Sequence, residues 1–370
     1  MYRIIYPLKD TTIYDKYPEL NSGIDQILEL TKITAGNTYE SSISADSTWD
    51  TTYNSRILIK FDITPFQTIL QENNVNDFNC YLKLYCTEAD SIPFEFTINA
   101  YPIAEDWKNG TGNYNDIPYV KNGASWKYRS GIVTSDTWSK SNSYFDTIEV
   151  GGGSWLTSSY SSQSFSDESP DICLNITNIF RGWLSSSYSN NGIILKFDDN
   201  SESDTSIMGS IKYYSKDTHT IHSPRLILNY SISGSEYTGS FSTASAINID
   251  ESFIHTKNLK EKYSLYSTAN IRLKVREKVP TITYQSSSVD YIGYRLPSSS
   301  YYSIIDAVTG ISIIDFDSVG TKIKMDDYGH YINVNFLNFM PDRYYKIKYK
   351  IIDSENTYII DNNQTFKVIK

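Results

Sequence analysis

Cysteine is scarce in this 370-residue chain, with only three present. Three cannot all pair. Cys80 and Cys86 of "CYLKLYC" lie six apart, too far along one strand for a disulfide. With Leu82 and Leu84 they read as core, and Cys173 of "DICLNI" reads as buried too. A disulfide-stapled scaffold is excluded, which points to maturation in a reducing cytoplasm. Alanine, the best helix former, occurs ten times, against 32 tyrosines. No apolar run is long enough for a membrane span, and the N-terminus "MYRIIYPLKDTTIYDK" has no secretory leader. A basic excess is lacking as well. The net charge is −10, with residues 1–249 at −12 and 250–370 at +2. The acidic larger part speaks against nonspecific nucleic-acid binding, because like charges repel.

Motifs for catalysis are also missing. There is no G-x-S-x-G elbow, P-loop, H-E-x-x-H or C-x-x-C. "GGG" at 151–153 leads into "SWLTSSYSSQS" rather than a helix, so it does not read as a phosphate cradle. His219 and His222 are three apart on a non-helical segment and do not converge on a metal. A glycosidase needs two converging carboxylates. Asp106, Asp116, Asp198 and Asp199 are the loop candidates. Asp198, Asp199 and Asp204 in "FDDNSESDTS" are spaced as Ca²⁺ ligands, but the loop lacks the glycine and terminal glutamate of an EF-hand. A solvated acidic loop is the simpler expectation. No catalytic, cofactor or metal residue is assigned.

What the chain does contain is strand pattern. Tyr, Ile and Thr suit a pleated, half-buried surface. Residues 1–231 carry short runs such as "YRIIYPL", "RILIKFDIT", "CYLKLYC", "GIILKF" and "RLILNY", separated by polar loops. This predicts an antiparallel sandwich. Two helical turns interrupt it. "TPFQTIL" is expected to start at a Thr64 cap, and "TNIFRGWL" at Thr177, with Ile179, Phe180, Trp183 and Leu184 on one face. Residues 232–250 are rich in Ser, Gly and Thr and read as a linker. Residues 251–370 alternate cleanly. "IRLKVRE" sets Ile271, Leu273 and Val275 against Arg272, Lys274 and Arg276. "YYKIKYKII" sets Tyr345, Ile347, Tyr349 and Ile351 against Lys346, Lys348 and Lys350. Period two with a basic face predicts sheets with one side in solvent or against a partner. The two basic rows are therefore candidate contacts for an acidic neighbour. Trp138 and Trp155, flanked by Ser and Thr, are candidate stacking platforms for sugars or protein.

The landmarks of residues 6–231 resemble, in order, the DNRLRE family of β-sandwich modules. "TTIYDKYPELNSGIDQILEL" looks like its opening strands and Asn-x-Gly turn, and "RILIKFDIT" like its Arg-x-Leu-x-x-Phe-Asp strand. "AEDWKNGTG" and "ASWKYR" are similar to its two Trp stations. "LNITNIFRGWL", "NNGIILKF" and "SPRLILNY" look like the elements that close it. The insert at 130–168 departs from the pattern and is where a specialised contact surface is expected. Residues 265–370, through "LPSSSYYSIIDA" and "PDRYYKIKYK", resemble the C-terminal β-domain of tailed-bacteriophage virion proteins. The resemblance implies an all-β protein: a jelly-roll, carbohydrate-binding-module-like sandwich (1–231), then an Ig-like β-sandwich (251–370). It implies a non-enzymatic virion component of tail or neck, assembled in the host cytoplasm. Its partners would be other virion proteins, with neither nucleic acid nor membrane. The competing expectation is a module that attaches to a host glycan.

Overall fold

The computed structural model describes residues 1–34, 52–131, 136–138, 151–203, 206–231, 245–246, 249, 252–279, 294–326, 328–353 and 356–370. Most of the expected linker, and part of the 130–168 insert, lie outside the described residues. The first part of the chain contains β1 (Tyr2–Ile5), β2 (Pro7–Tyr14), β3 (Ile27–Thr34), β4 (Thr52–Phe61), α1 (Thr64–Glu72), β5 (Phe78–Leu84), β6 (Cys86–Asp90) and β7 (Phe96–Pro102). It continues through β8 (Ser161–Phe165), β9 (Ile172–Asn175), α2 (Thr177–Leu184), β10 (Ile193–Phe197), α3 (Asp199–Ser203), β11 (Gly209–Tyr214) and β12 (Arg225–Tyr230). These strands form a four-stranded sheet, β1-β12-β5-β9, and an eight-stranded sheet, β6-β11-β3-β4-β10-β7-β8, in which β2 also pairs with β4.

The sequence explains why β4 is central. Ile57, Leu58 and Ile59 are all fully buried, as expected of a strand covered on both faces. On one edge Ser55–Phe61 pair antiparallel with β2. On the other, Ile57, Leu58 and Ile59 face Leu195, Ile194 and Ile193 of β10. Each aliphatic side chain buried this way contributes about 1.5–3 kcal/mol. The chain leaves β4 through Asp62, whose carboxylate accepts the Thr64 N–H at 3.0 Å and so caps α1. Asp62, rather than Thr64, is the capping side chain. At α2 the same role falls to Asn175, which accepts the Thr177 N–H at 3.0 Å. Ile179, Phe180 and Trp183 are buried as expected, while Leu184 is only half-buried.

Two cysteines depart from expectation. Cys80 is buried, but the chain breaks at Tyr85, so Cys86 starts another strand in another sheet and is half-buried. Cys173 is exposed, because β9 alternates Ile172 and Leu174 inward with Cys173 and Asn175 outward. None of the three forms a disulfide.

The later part contains β13 (Ser245–Ala246), β14 (Ser252–Thr256), β15 (Lys262–Ser264), β16 (Thr268–Glu277), β17 (Tyr294–Arg295), β18 (Ser300–Asp306) and β19 (Ser312–Ile314). It ends with β20 (Lys324–Asp326), β21 (Gly329–Asn335), β22 (Arg343–Ile352) and β23 (Thr357–Ile369). A four-stranded sheet, β14-β16-β21-β20, and a five-stranded sheet, β15-β23-β22-β18-β19, give a β-sandwich-like arrangement. The segment "IHTKNLKEKYSLY" contributes strands to both sheets and no helix. Ile271, Leu273, Val275, Ile332 and Val334 from one sheet, and Tyr302, Ile304, Tyr345, Ile347 and Tyr349 from the other, are buried. Phe336 stacks on Tyr263 at 4.5 Å and meets Phe366 edge-on at 5.5 Å. The buried Tyr302 hydroxyl donates to the Asn333 carbonyl at 2.9 Å, so the ring is buried without stranding its polar tip.

The chain divides into two compact units. The first comprises Met1–Arg3, Thr68–Asn79 and Leu228–Lys370; the second comprises Ile4–Gln67 and Cys80–Ile227.

Candidate functional site

The most distinctive chemistry of the second unit is a buried charge cluster. Arg56, at the head of "RILIKFDIT", is 1 % exposed. Its Nε and Nη2 donate to Glu202 Oε1 and Oε2 at 3.1 and 2.7 Å, and its Nη1 donates to the Gly152 carbonyl at 2.6 Å. The guanidinium lies over the rings of Trp126 (4.7 Å) and Trp155 (5.0 Å). Lys196, fully buried, reaches the same Glu202 carboxylate at 2.8 Å and also pairs with Asp199. Lys32, buried as well, donates to the Ser201 carbonyl. A charge this deep is tolerated only when paired and hydrogen-bonded. Gly152 has φ +83°, and a Cβ there would overlap the Arg56 guanidinium. The triple glycine therefore admits an arginine of the same chain.

This geometry accounts for the acidic loop. Asp198 caps α3 by accepting the Asn200 and Ser201 N–H groups, each at 3.1 Å. Asp199 and Glu202 face lysine and arginine. The cations that a Ca²⁺ ion would have to displace are built into the fold. Asp204, the third expected ligand, lies outside the described residues. Among the described residues no group of three or more His, Cys, Asp or Glu is arranged to hold a metal. The other candidate carboxylates also have structural partners. Asp106 pairs with Lys9 (3.2 Å) and Lys60 (3.1 Å), and Asp116 accepts the Asn113 N–H at 2.8 Å.

The two tryptophans expected to offer stacking platforms do not do so. Trp138 is 1 % and Trp155 2 % exposed, and both pack in one cluster with Ile13, Leu58, Tyr101, Ile103, Trp107 and Ile194. The Trp138 indole N–H donates to the Ser125 carbonyl at 2.9 Å. The serines and threonines beside them in sequence suggest exposure. Instead the loops fold back and close the end of the sheet with indoles. The "NSG" and "KNG" landmarks stitch the same end: Asn21 donates to the carbonyls of Asn109 (2.8 Å) and Ala124 (2.9 Å), and Asn109 donates to Gly23 (2.6 Å).

The basic rows of the first unit do face outward, as the alternation requires. Arg272, Lys274 and Arg276 lie on β16, and Lys346, Lys348 and Lys350 on β22, all half-buried. These strands belong to different sheets, so the six cations do not form one patch. Each row also carries its own anion. Asp326 holds Arg272 through bonds of 2.5 and 2.7 Å, which lowers the carboxyl pKa. Asp361 sits 2.7 Å from Lys346 and 4.0 Å from Lys348. Arg276 lies over Phe253 at 4.9 Å, and Lys350 is 6.0 Å from Phe316. A cavity of about 620 Å³ opens beside β16, lined by Leu273, Lys274, Val275, Met325, Tyr328 and His330. Burial pushes His330 down to about 4.

One surface of the second unit is absent from the sequence-based expectations. Tyr17, Tyr114 and Tyr119 form a contiguous aromatic cluster with centroid distances of 5.9 and 5.6 Å, and Tyr14 backs it at 5.0 Å from Tyr114. Beside them in sequence, Ile117 is 94 % exposed, and Ile24 is exposed as well. The rings come from "YDKY" and "YNDIPY", two turn and loop segments about a hundred residues apart. The signal available in sequence is Ile117 between two tyrosines in a polar loop.

No protein-family model matches this chain, and no curated protein matches it either.

Proposed function

We propose that this chain is a non-enzymatic structural component of a tailed-phage virion that works through protein–protein contacts. The observation that carries the contact role is the cluster of half-buried Tyr17 with exposed Tyr114 and Tyr119, on two loops that also expose Ile24 and Ile117. Tyrosine is enriched at the centres of interfaces, and a contiguous exposed apolar patch marks an interaction site. The conspicuous landmark residues support the same reading by what they are used for. Arg56, Trp107, Trp138, Trp155 and the Asn-Gly turns serve internal cohesion. In this reading the first sandwich along the chain is a jelly roll of the carbohydrate-binding-module kind, and the later one is Ig-like. The virion setting rests on the resemblance of residues 6–231 and 265–370.

Mass spectrometry of purified particles of the encoding phage tests the setting. The chain is expected among the virion proteins, and its absence overturns the proposal. The double substitution Ile117→Asp/Tyr119→Asp tests the surface. Both side chains are exposed, so the chain is expected to fold and to be lost from assembled particles. Normal incorporation would show that this patch makes no contact in the particle.

A further inference from the structure

The last strand of the chain leaves one edge open. β23 (Thr357–Ile369) lies between β15 and β22 in its sheet. β22 pairs along nearly all of it, whereas β15 pairs only with Lys367, Val368 and Ile369. From Thr357 to Phe366 the β15 side of β23 has no strand partner among the described residues. Neighbouring bonds fix which groups point there. The Ile352 N–H donates to the Ser299 carbonyl at 2.9 Å, and the Tyr302 N–H, opposite Tyr349, turns away to the Thr321 carbonyl at 2.9 Å. Ile352 therefore directs its backbone groups toward β18, while Ile351 and Tyr349 direct theirs toward β23. Their partners on β23 are Tyr358 and Ile360. By alternation, Thr357, Ile359 and Asp361 hold their N–H and C=O groups toward the open side.

An open row of N–H and C=O groups is a template for another strand, and lysine, proline or a bulge commonly blunts it. Thr357–Asp361, "TYIID", has neither lysine nor proline. The register shift of the β22–β23 ladder comes only after Asp361, where the Asn362 amide also ties the strand to the Ile254 carbonyl. The one charge of the segment, Asp361, is held by Lys346 at 2.7 Å. Ile359 is 63 % exposed on one face, and Tyr358 and Ile360 are half-buried on the other. The segment is its own antiparallel complement. With Ile359 on a two-fold axis, Ile359 meets its copy, Tyr358 meets Ile360, and Thr357 meets Asp361. An aromatic ring then faces a β-branched residue, and no like charges are opposed. A parallel, in-register pair would set Asp361 beside its own copy. We propose that two copies of this chain join through β23, pairing antiparallel about Ile359, so that the sheet runs on from one copy into the other. The pairing rests on this edge alone and depends neither on the tyrosine surface nor on the virion setting.

The test is sedimentation velocity of the full chain from about 1 μM to about 1 mM, where a reversible monomer–dimer equilibrium is expected. Ile359→Lys changes an exposed side chain and opposes two cations at the axis, and it is expected to weaken the dimer at least about tenfold. Ile359→Pro removes only an outward N–H, leaves the bonds to β22 in place, and is expected to weaken the dimer as well. An equimolar mixture of Ile359→Lys and Ile359→Glu is expected to associate more tightly than either variant alone, because position 359 faces itself across the axis. A chain that stays monomeric over the whole range overturns the proposal. A dimer that Ile359→Lys leaves unchanged overturns it too, since the contact would then lie elsewhere. A mixture no tighter than its components overturns the two-fold pairing.

Discussion

Replacing Glu202 by glutamine removes one negative charge from beneath two buried cations. In the native protein its carboxylate takes two bonds from Arg56 and one from Lys196. In Glu202→Gln, Lys196 keeps Asp199, but Arg56 loses its counter-charge and keeps the Gly152 carbonyl, the faces of Trp126 and Trp155 and at most one uncharged bond to the new amide oxygen. Breaking a buried pair from one side costs about 3–5 kcal/mol, because the remaining charge stays out of water without compensation. For a unit of this size that is a fall in Tm of about 6–20 °C. The assay is urea unfolding followed by tryptophan fluorescence. All six tryptophans lie between residues 49 and 183, so the signal reports on the unit that holds the cluster. Removing the whole cluster, in Arg56→Met/Lys196→Met/Glu202→Leu, is expected to recover most of the loss, since the desolvation cost goes with the charges. A loss below about 1 kcal/mol in Glu202→Gln, the worth of a surface pair, would mean that water reaches the cluster and that burial does not set its energetics.

Other outcomes follow from the same geometry. Burial raises the Asp10 carboxyl to about 7, although its Oδ2 accepts the Lys216 N–H at 2.7 Å. The unfolded group titrates near 3.9, so the folded state holds the proton more tightly and stability falls as pH rises from about 4 to about 7. Asp10→Asn should flatten that slope, and parallel Tm–pH curves for the two proteins would contradict it. His330 is lowered to about 4, and its Nε2 accepts the Leu296 N–H at 3.1 Å. Here the neutral form is the folded one, so its contribution is full above about 6.5 and is lost as pH falls toward 4. An NMR titration should find the ring neutral down to about pH 4; a midpoint above pH 6 would contradict the burial. Trp155→Ala should cost about 3–5 kcal/mol in thermal unfolding read by circular dichroism, as for any buried indole. A cost below about 1 kcal/mol would place the ring at the surface instead.

The all-β class was legible from composition and period, and several details were legible too. β4, β16 and β22 run where the apolar patterns put them, and the inward set of each of the last two is the expected one. The site was far less legible. Trp138 and Trp155 looked exposed because their sequence neighbours are polar, yet burial of an indole depends on which distant strands its loop covers. The acidic run at 198–202 reads in sequence as a solvated loop, because Arg56, the cation that buries Glu202, lies 146 residues away.

By itself the sequence determined where the strands run and which side chains share a face. That follows from a local cause, the two-residue period of a pleated backbone. Tertiary structure alone decided which charges meet, which aromatic rings are covered and which strand edges are left open. Arg56 finds Glu202 across 146 residues, and Tyr17 joins Tyr114 and Tyr119 on one surface. Each of these depends on elements brought together by long-range packing, and no local pattern records such a meeting.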